Sequence, residues 1–439
     1  MASDNATDPP ITITARCLCK AHSVTASLPA SSLPLEGTYC HCTSCRHMTG
    51  ALHSSSVKWP GDPAAVRALR LREYDFSPRL KILFCGACGS PMFWGDGDEA
   101  PQLEPGAASG NGDGGFEAFM GVLSNNDVSG GGGLLRVKDH IFVGDTVDGG
   151  AAVWMRHLLG DSSSSGGGPI PCYAGWRDKS EPVDPADMAA QARDRPSKPP
   201  PESVPVHCRC RGVDLVLRRG AAAADFSALK DASQLPFFVE PATHKLLASF
   251  DACDSCRTSF GTDVINWTFA LLKHIDFAPS TSTSTSTASS TSTSPFPDSS
   301  LDLKAAVSVP AADRDPRLGT LAYYASSDDV QRYFCSRCSA SVFYAVDDRP
   351  DMVDLAVGLL DAPEGARAES VLSWALGDMG WADDMKGGWR EELGAYIKKN
   401  AEDWRIKSGI PVPWIRKLRE EREAQKKAAA EAALVEGKA

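Results

Sequence analysis

The chemistry available to this chain of 439 residues rests on its fourteen cysteines. All of them except Cys172 fall into short clusters. Closely spaced thiols bind metal ions in intracellular proteins and form disulfides in secreted ones. The N-terminal residues show no basic segment followed by an apolar core, so they do not resemble a secretory signal. We therefore expect metal binding in the cytoplasm, with the nucleus as the alternative location.

Two cysteine pairs in each half of the chain have the spacing of zinc ligands. A C-x-C pair comes first and a C-x-x-C pair comes last. Zinc takes four ligands in a tetrahedron, and two thiolates one or two residues apart reach it from one tight turn. Closed four-thiolate sites usually join strands that are distant in sequence. We predict two structural zinc sites, formed by Cys17, Cys19, Cys85 and Cys88 and by Cys208, Cys210, Cys335 and Cys338.

A cluster of three cysteines lies between the two pairs of the first half. We call Cys40, Cys42 and Cys45 the first central cluster. Three protein ligands with one exchangeable position are typical of catalytic zinc, where the open position takes water or substrate. His41 or His47 could instead close the site as a structural one, or the three thiols could be redox-active without metal. We predict an open, catalytic zinc site.

The second half carries an altered version of this cluster. In the second central cluster, Asp251, Cys253 and Cys256, an aspartate stands where the first half has Cys40. A carboxylate is an acceptable zinc ligand, but exchanging one thiolate for a harder oxygen weakens the affinity for soft metals. We therefore take Cys253 and Cys256 as the candidate metal ligands at this position. We expect the site to bind metal weakly or not at all and to be non-catalytic. The expected content is two zinc ions in the first half and at least one in the second.

The order of the clusters indicates a diverged tandem duplication. Neighbouring residues recur with the cysteines: Arg46 and Arg257 each follow a central cluster, and Phe84 and Phe334 each precede a final pair. The number of residues that separates equivalent cysteines of the two halves grows from the first cluster to the last. Insertions in the second half explain this growth. We predict a first zinc domain over residues 11–159 and a second over residues 204–392. The second contains a Ser/Thr-rich insertion at residues 279–294.

The elements that must position these cysteines are short strands. Residues 11–14, 80–84, 140–143 and 355–360 have strand composition and are bounded by glycine, proline or aspartate turns. Helical periodicity is mostly absent within the two halves. Residues 160–203 are rich in glycine, serine, proline and charge, a composition typical of a disordered linker. The fold class is therefore mainly β, with two tandem domains.

The tail at residues 393–439 differs from the rest of the chain. From Pro413 onward it is rich in helix formers and charged on nearly every face, which predicts an exposed helix available to protein partners. The net charge of −11 argues against a general affinity for nucleic acid or anionic membranes. No apolar stretch is long enough to cross a bilayer.

The cysteine motifs, in this order, resemble the glutathione-dependent formaldehyde-activating enzyme family, whose domain is shared with centromere protein V. In the first half the resemblance rests on the outer pairs, on CHCTSCR from Cys40 and on FCGACGS from Phe84. HCRCRG, CDSCR, FCSRCS and AVGLLDAP follow the same scheme in the second half. The resemblance covers roughly residues 11–157 and 204–390.

This resemblance implies a β-tent-like fold, a structural zinc on the outer pairs, and a second zinc on Cys40, Cys42 and Cys45. It implies a carbon–sulfur lyase that joins formaldehyde to glutathione, giving S-hydroxymethylglutathione, with the activity in the first half. Glutathione would then be the co-substrate, and a small thiol and an aldehyde would be the partners. Arg46 is placed to meet a substrate carboxylate, but we expect an exposed structural arginine in preference to that role.

Two other functions remain open from the sequence. The first is a non-catalytic, zinc-stabilised module that binds glutathione or another small thiol without turnover. The second is an interaction protein whose C-terminal helix and Ser/Thr-rich loop engage macromolecules. The acidic charge weakens a nucleic-acid version of the second alternative.

Overall fold

A computed structural model describes the chain over seven segments. These are residues 10–97, 115–125, 133–157, 168–195, 199–279, 294–310 and 312–436, with side chains described up to residue 428. Residues 280–293 of the Ser/Thr-rich insertion lie outside them. In the described segments, the helices fall short of the length and apolar character needed to cross a membrane.

The first half is built on a seven-stranded mixed sheet and a separate two-stranded ribbon. The ribbon pairs β1 with β2, and the sheet has the order β5-β6-β7-β8-β4-β3-β9, in which only β3 and β9 are parallel. The strands are β1 Pro10–Arg16, β2 Ser23–Pro29, β3 Leu35–Cys40, β4 Ser54–Lys58, β5 Arg72–Ser77, β6 Leu80–Phe84, β7 Pro91–Asp96, β8 Glu117–Phe119 and β9 Leu135–Ile141. The helices are α1 Thr43–Thr49, α2 Pro63–Ala68, α3 Ala152–Met155 and α4 Pro185–Asp194.

The second half repeats this arrangement. Its sheet has the order β15-β16-β17-β18-β13-β12-β19, and a smaller sheet joins β10, β11 and β14. The strands are β10 Val204–His207, β11 Asp214–Leu217, β12 Leu246–Asp251, β13 Ile265–Leu271, β14 Ile275–Phe277, β15 Leu321–Ser327, β16 Val330–Cys335, β17 Ser341–Val346, β18 Met352–Ala356 and β19 Leu372–Trp374. The helices are α5 Arg219–Ser227, α6 Asp254–Phe260, α7 Ser300–Ser308, α8 Arg390–Lys407 and α9 Trp414–Glu436.

Strand register places the two halves in residue-by-residue correspondence. Cys40 pairs with Ser54 at the end of β3, and Asp251 pairs with Ile265 at the end of β12. Both sheets also have a register shift at the residue before the last cysteine pair, at Phe84 in the first half. The mainly β fold with two similar domains is therefore confirmed, and Asp251 stands where the first half has Cys40.

Alternating burial explains why the ribbon forms. In β2, Val24, Ala26 and Leu28 are buried and their neighbours are exposed, which is the period of a half-buried strand. Residues 11–14 and 80–84 lie in strands as expected. Residues 355–360 do not form one strand. β18 ends at Ala356, and the 3₁₀ turn Val357–Leu359 follows it. Gly358 of this turn contacts the other half.

The two halves are joined by a reciprocal contact between a helix end and a 3₁₀ turn. Gly50 and Gly261 end α1 and α6 in the left-handed conformation, with φ of 83° and 75°. The N–H of Gly358 donates to the carbonyl of Gly50 at 2.8 Å, and the N–H of Gly121 donates to Gly261 at 3.1 Å. Each half therefore caps the helix of the other, and the two sheets share one hydrophobic core.

Two parts of the chain are more ordered than the sequence predicts. Within the expected disordered linker 160–203, the structure describes α4, and Cys172 is buried. Helix α8 begins at Arg390, before the expected start of the tail, and its residues Ile397 and Trp404 are buried. Tertiary packing accounts for both differences, because Arg193 of α4 lies over the Trp404 ring at 5.2 Å. Helix α9 confirms the predicted C-terminal helix.

Candidate metal centres and the central clusters

The outer cysteines of the first half converge from two separate turns. The Cys17 Sγ lies 3.5 Å from the Cys19 Sγ, and the Cys19 Sγ lies 3.6 Å from the Cys85 Sγ. Four thiolates around zinc, with Zn–S bonds of about 2.3 Å, have sulfur atoms about 3.8 Å apart. The sulfurs of Cys17, Cys19, Cys85 and Cys88 form one group with this spacing, so they can hold a zinc ion.

Local hydrogen bonds shape the turn that carries the C-x-x-C pair. The N–H of Cys85 donates to the Ser90 carbonyl, and the N–H of Gly89 donates to the Cys85 carbonyl. Gly89 has a φ of +76°, which a glycine adopts without strain. The Ser90 hydroxyl accepts the N–H of Leu18 at 3.1 Å and therefore joins this turn to the C-x-C turn.

The outer cysteines of the second half repeat the geometry. The Cys210 Sγ lies 3.6 Å from the Cys208 Sγ and 3.5 Å from the Cys335 Sγ. The N–H of Val213 donates to the Cys208 Sγ at 3.3 Å, as the N–H of His22 donates to Cys17 at the same distance. The group Cys208, Cys210, Cys335 and Cys338 can therefore also hold a metal ion. The zinc assignment at both groups remains a prediction.

The first central cluster is positioned by the junction of β3 and α1. Cys40 ends β3, Cys42 caps α1, and Cys45 lies in its first turn. The N–H of Cys45 donates to the Cys42 Sγ at 3.2 Å, and the three sulfurs lie within 4.8 Å of one another. Hydrogen bonding with the Cys40 thiol, then with the Cys45 thiol, lowers the pKa of Cys42, whereas hydrogen bonding with Cys42 raises the pKa of Cys40 and hydrogen bonding with Cys40 raises that of Cys45. The thiolate is thus placed on Cys42, and three sulfur donors suit a soft metal.

Neither nearby histidine joins the three thiols as a ligand. The ring of His41 is buried, and its Nε2 lies 2.9 Å from the Nδ1 of His140. The ring of His47 stacks on His207 with centroids 4.0 Å apart, and its Nδ1 bonds the His207 carbonyl. Over the described residues, the metal-ligating group at this position consists of the three cysteines alone. The alternative of a histidine-closed site is therefore not favoured by the geometry.

Arg46 is buried beside this cluster with part of its guanidinium unused. The side chain is 5% exposed, so the expectation of an exposed structural arginine is wrong. Its Nη2 donates to the Thr43 hydroxyl at 3.4 Å, while Nε and Nη1 have no hydrogen-bond partner among the described residues. Burial lowers the pKa of Arg46, and the negative charge of Asp148 and then of Cys42 opposes that effect. Buried donors of this kind are normally paired, so the Nε and Nη1 of Arg46 are two unsatisfied donors beside the cluster.

Asp145 is a site residue that sequence reasoning missed. Its Oδ2 accepts the N–H of Thr43 at 3.2 Å, at the start of the helix that carries Cys42 and Cys45. Burial raises the pKa of the Asp145 carboxyl. No cysteine spacing identifies this residue. The parallel pairing of Cys40 with Ile141 brings its segment to the cluster, and that pairing is a tertiary feature.

The second central cluster has the same backbone frame with different partners. Asp251, Cys253 and Cys256 form a group within 4.8 Å, and the Asp251 Oδ1 accepts the N–H of Cys253 at 2.7 Å. Burial raises the pKa of Asp251 to about 7. The Nη1 of Arg332 lies 3.6 Å from the Cys256 Sγ. The three residues are brought together as predicted. The guanidinium of Arg332 lies beside them, which the sequence analysis did not predict.

Comparison with known proteins supports the resemblance seen in the motifs. Residues 12–109 match the family model described as glutathione-dependent formaldehyde-activating enzyme. This stretch contains both outer pairs of the first half and the whole first central cluster, so the resemblance is confirmed there. No curated protein and no solved structure matches the chain.

Proposed function

From the match of residues 12–109 to this family, we propose that the first half joins a small aldehyde to glutathione or a related thiol. With formaldehyde the product is S-hydroxymethylglutathione, and the reverse reaction is that of a carbon–sulfur lyase. One observation carries the proposal. The three sulfurs of the first central cluster lie together without a fourth protein ligand among the described residues, beside a buried and partly unpaired arginine.

Cys40, Cys42 and Cys45 would hold the metal ion of this site. A thiolate donor set suits zinc, and three protein ligands leave one position for an exchangeable group. When bound, zinc would supply a lowered pKa for a thiol at that position, so that the nucleophilic thiolate is available near neutral pH. The spacing of the three sulfurs, within 4.8 Å, supports this fit.

Arg46 would orient the substrate through a carboxylate. Glutathione carries two carboxylates, and the Nε and Nη1 of Arg46, which have no partner among the described residues, can each donate to a carboxylate oxygen. The buried position of Arg46 strengthens such a contact because water is excluded. The thiol of the bound peptide would then lie toward the cysteines at the start of the same helix.

The reaction balances without an added oxidant or reductant. The thiol loses its proton, the sulfur forms a bond to the carbonyl carbon, and the carbonyl π pair moves to the oxygen. That oxygen then takes up one proton. Asp145, whose carboxylate accepts the N–H of Thr43 at the start of α1, is the group we assign to accept and return this proton, because it lies beside the helix that carries Cys42 and Cys45.

The test is the rate of adduct formation from formaldehyde and glutathione, measured above the spontaneous reaction. We expect Cys42→Ala to abolish the enzymatic rate while the far-ultraviolet circular dichroism spectrum stays unchanged. Cys253→Ala, at the equivalent position of the second half, is the matched control and should keep the rate. If Cys42→Ala retained the full rate, the first central cluster would not be the active site.

The same variant separates catalysis from binding without turnover. A non-catalytic module would bind glutathione in a calorimetric titration and show no rate above the spontaneous one in the wild-type protein. Our proposal requires both glutathione binding and a rate that depends on formaldehyde and on Cys42.

A further inference from the structure

We propose that Arg332 takes the place of a metal ion in the second central cluster, so that Asp251, Cys253 and Cys256 bind no zinc. The guanidinium would act as the built-in cation of this site. The inference concerns the second half and does not depend on the activity proposed for the first.

The position of Arg332 is defined by the repeat. Arg332 pairs with Tyr344 across β16 and β17, and Ile82 pairs with Trp94 across β6 and β7. Each residue precedes the first cysteine of its final pair by the same interval, and each is followed by the same register shift. Arg332 is therefore the counterpart of Ile82, a fully buried apolar residue. The two halves differ at this point by one buried positive charge.

The contacts of Arg332 hold its charge at the cluster. Its Nη1 lies 3.6 Å from the Cys256 Sγ, and its Nε donates to the Ser326 hydroxyl at 3.1 Å. The guanidinium carbon lies 5.0 Å from the centroid of the Tyr344 ring, within the range of a cation–π contact. The side chain is 7% exposed. Arg332 is thus held by contacts with Cys256, Ser326 and Tyr344. Arg46, in contrast, has two nitrogen donors without a partner among the described residues.

A divalent cation would meet two obstacles at this cluster. The first is repulsion by the arginine charge, which is strong because the site is buried and screening by water is weak. The second is the donor set, since a carboxylate of Asp251 replaces one of the three thiolates and suits a soft metal less well. Asp354, a buried carboxyl of strand β18, is paired with Arg349 at 3.3 Å. The negative groups therefore have protein cations and donors as partners in place of a metal.

Metal analysis of the full-length protein, purified with zinc, tests this inference. The double variant Cys253→Ser with Cys256→Ser should keep the zinc content of the wild-type protein unchanged. The double variant Arg332→Ile with Asp251→Cys, which copies the first half, should gain one zinc ion per chain. Arg332→Lys with Asp251→Cys keeps a cation in place and should gain none.

The reverse substitution can be made at the equivalent position of the first half. If the first central cluster holds zinc, Ile82→Arg should lose one zinc ion, because it introduces a charge at the position equivalent to Arg332. Loss of one zinc ion in the Cys253→Ser, Cys256→Ser variant would overturn the inference. That result is measured relative to the wild-type protein, so it is independent of whether the first central cluster is active. If the Arg332→Ile variant fails to fold, the serine variant alone still decides the question.

Discussion

Arg46 and Arg257 occupy equivalent positions after the two central clusters, but only Arg257 has its guanidinium satisfied by the protein. The Nη1 of Arg257 donates to the carbonyls of Gly121 at 2.5 Å and Leu123 at 2.9 Å, and its Nε donates to Asp254 at 2.7 Å. Within the part of the chain that the structure describes, the Nε and Nη1 of Arg46 make no such bonds. A duplicated residue thus became structural in one half and kept unused donors in the other.

Arg46→Met should raise the KM for glutathione roughly 10- to 100-fold, since a hydrogen bond to a charged group contributes about 1.5–3 kcal/mol. The rate constant kcat should change much less, because the bond is made in both the bound substrate and the transition state. Steady-state kinetics with varied glutathione measures the two parameters separately.

A thiol without carboxylates is the control for this prediction. With 2-mercaptoethanol as the substrate, wild-type and Arg46→Met proteins should have the same KM. An equal rise in KM for both thiols would mean that Arg46 supports the site structurally and does not contact a carboxylate. Arg46→Lys should restore part of the affinity for glutathione.

Cys88→Ser should unfold the first half and thereby remove both of its zinc ions, since the two candidate sites of this half lie in the same fold. The free energy of zinc binding to structural thiolate sites, about 10–16 kcal/mol near neutral pH, is as large as the whole stability of a domain. Zinc content and the melting transition are the measurements. Cys172→Ser, a buried cysteine outside the clusters, should leave the zinc content unchanged. Equal zinc content in the two variants would contradict the assignment of the outer group.

Gly358→Ala should destabilise the contact between the halves by about 1–3 kcal/mol, the usual cost of overpacking. A Cβ at this position would overlap the carbonyl oxygen of Ala51. Gly175→Ala is the control, because its Cβ would meet its nearest neighbour, Ser180, at an ordinary 3.5 Å. Urea unfolding of both variants measures the difference. A Gly358→Ala protein as stable as the control would show that the two halves are not packed as described.

Acid should destabilise the protein through its buried histidines. Burial lowers the pKa of His53 from 6.5 to about 3, so the folded state holds this ring neutral while the unfolded state binds a proton. Proton binding by the unfolded state therefore costs no stability above pH 6.5. The free energy of unfolding decreases as the pH falls from 6.5 toward 3. Burial lowers the pKa of His140 to about 4 in the same way. Each such histidine contributes up to about 1.4 kcal/mol per pH unit within its window.

His53→Gln isolates one of these contributions. The variant keeps the zinc ligands and a polar partner for Thr262, whose hydroxyl lies 3.0 Å from the Nε2 of His53. Between pH 6 and pH 4 the unfolding free energy of the variant should fall less steeply than that of the wild-type protein. Identical slopes would mean that His53 is protonated in the folded protein.

The sequence predicted the parts of the site that lie close together along the chain. The C-x-C and C-x-x-C spacings were enough to group the outer cysteines, because each pair lies in one turn. The repeated order of clusters was enough to predict two similar domains and the replacement of Cys40 by Asp251. The match of residues 12–109 and the equal strand orders agree with these predictions.

The parts that sequence could not predict depend on contacts between distant segments. Asp145 reaches α1 through the parallel pairing of β3 with β9, and Arg332 reaches Cys256 through the register of β16. The ordered α4 and the buried face of α8 depend on packing between the halves, which composition does not reveal. A segment rich in proline and charge can therefore be ordered when a neighbour covers its few apolar residues.

The central claim is that the three cysteines of the first central cluster hold a metal ion with a position open to thiols. The most direct measurement is the absorption spectrum of the cobalt-substituted protein during a titration with glutathione. We predict that the spectrum of one ion in three changes as thiol enters its coordination shell, and that Cys42→Ala removes this change. A spectrum that stays constant at saturating glutathione in the wild-type protein would contradict the account.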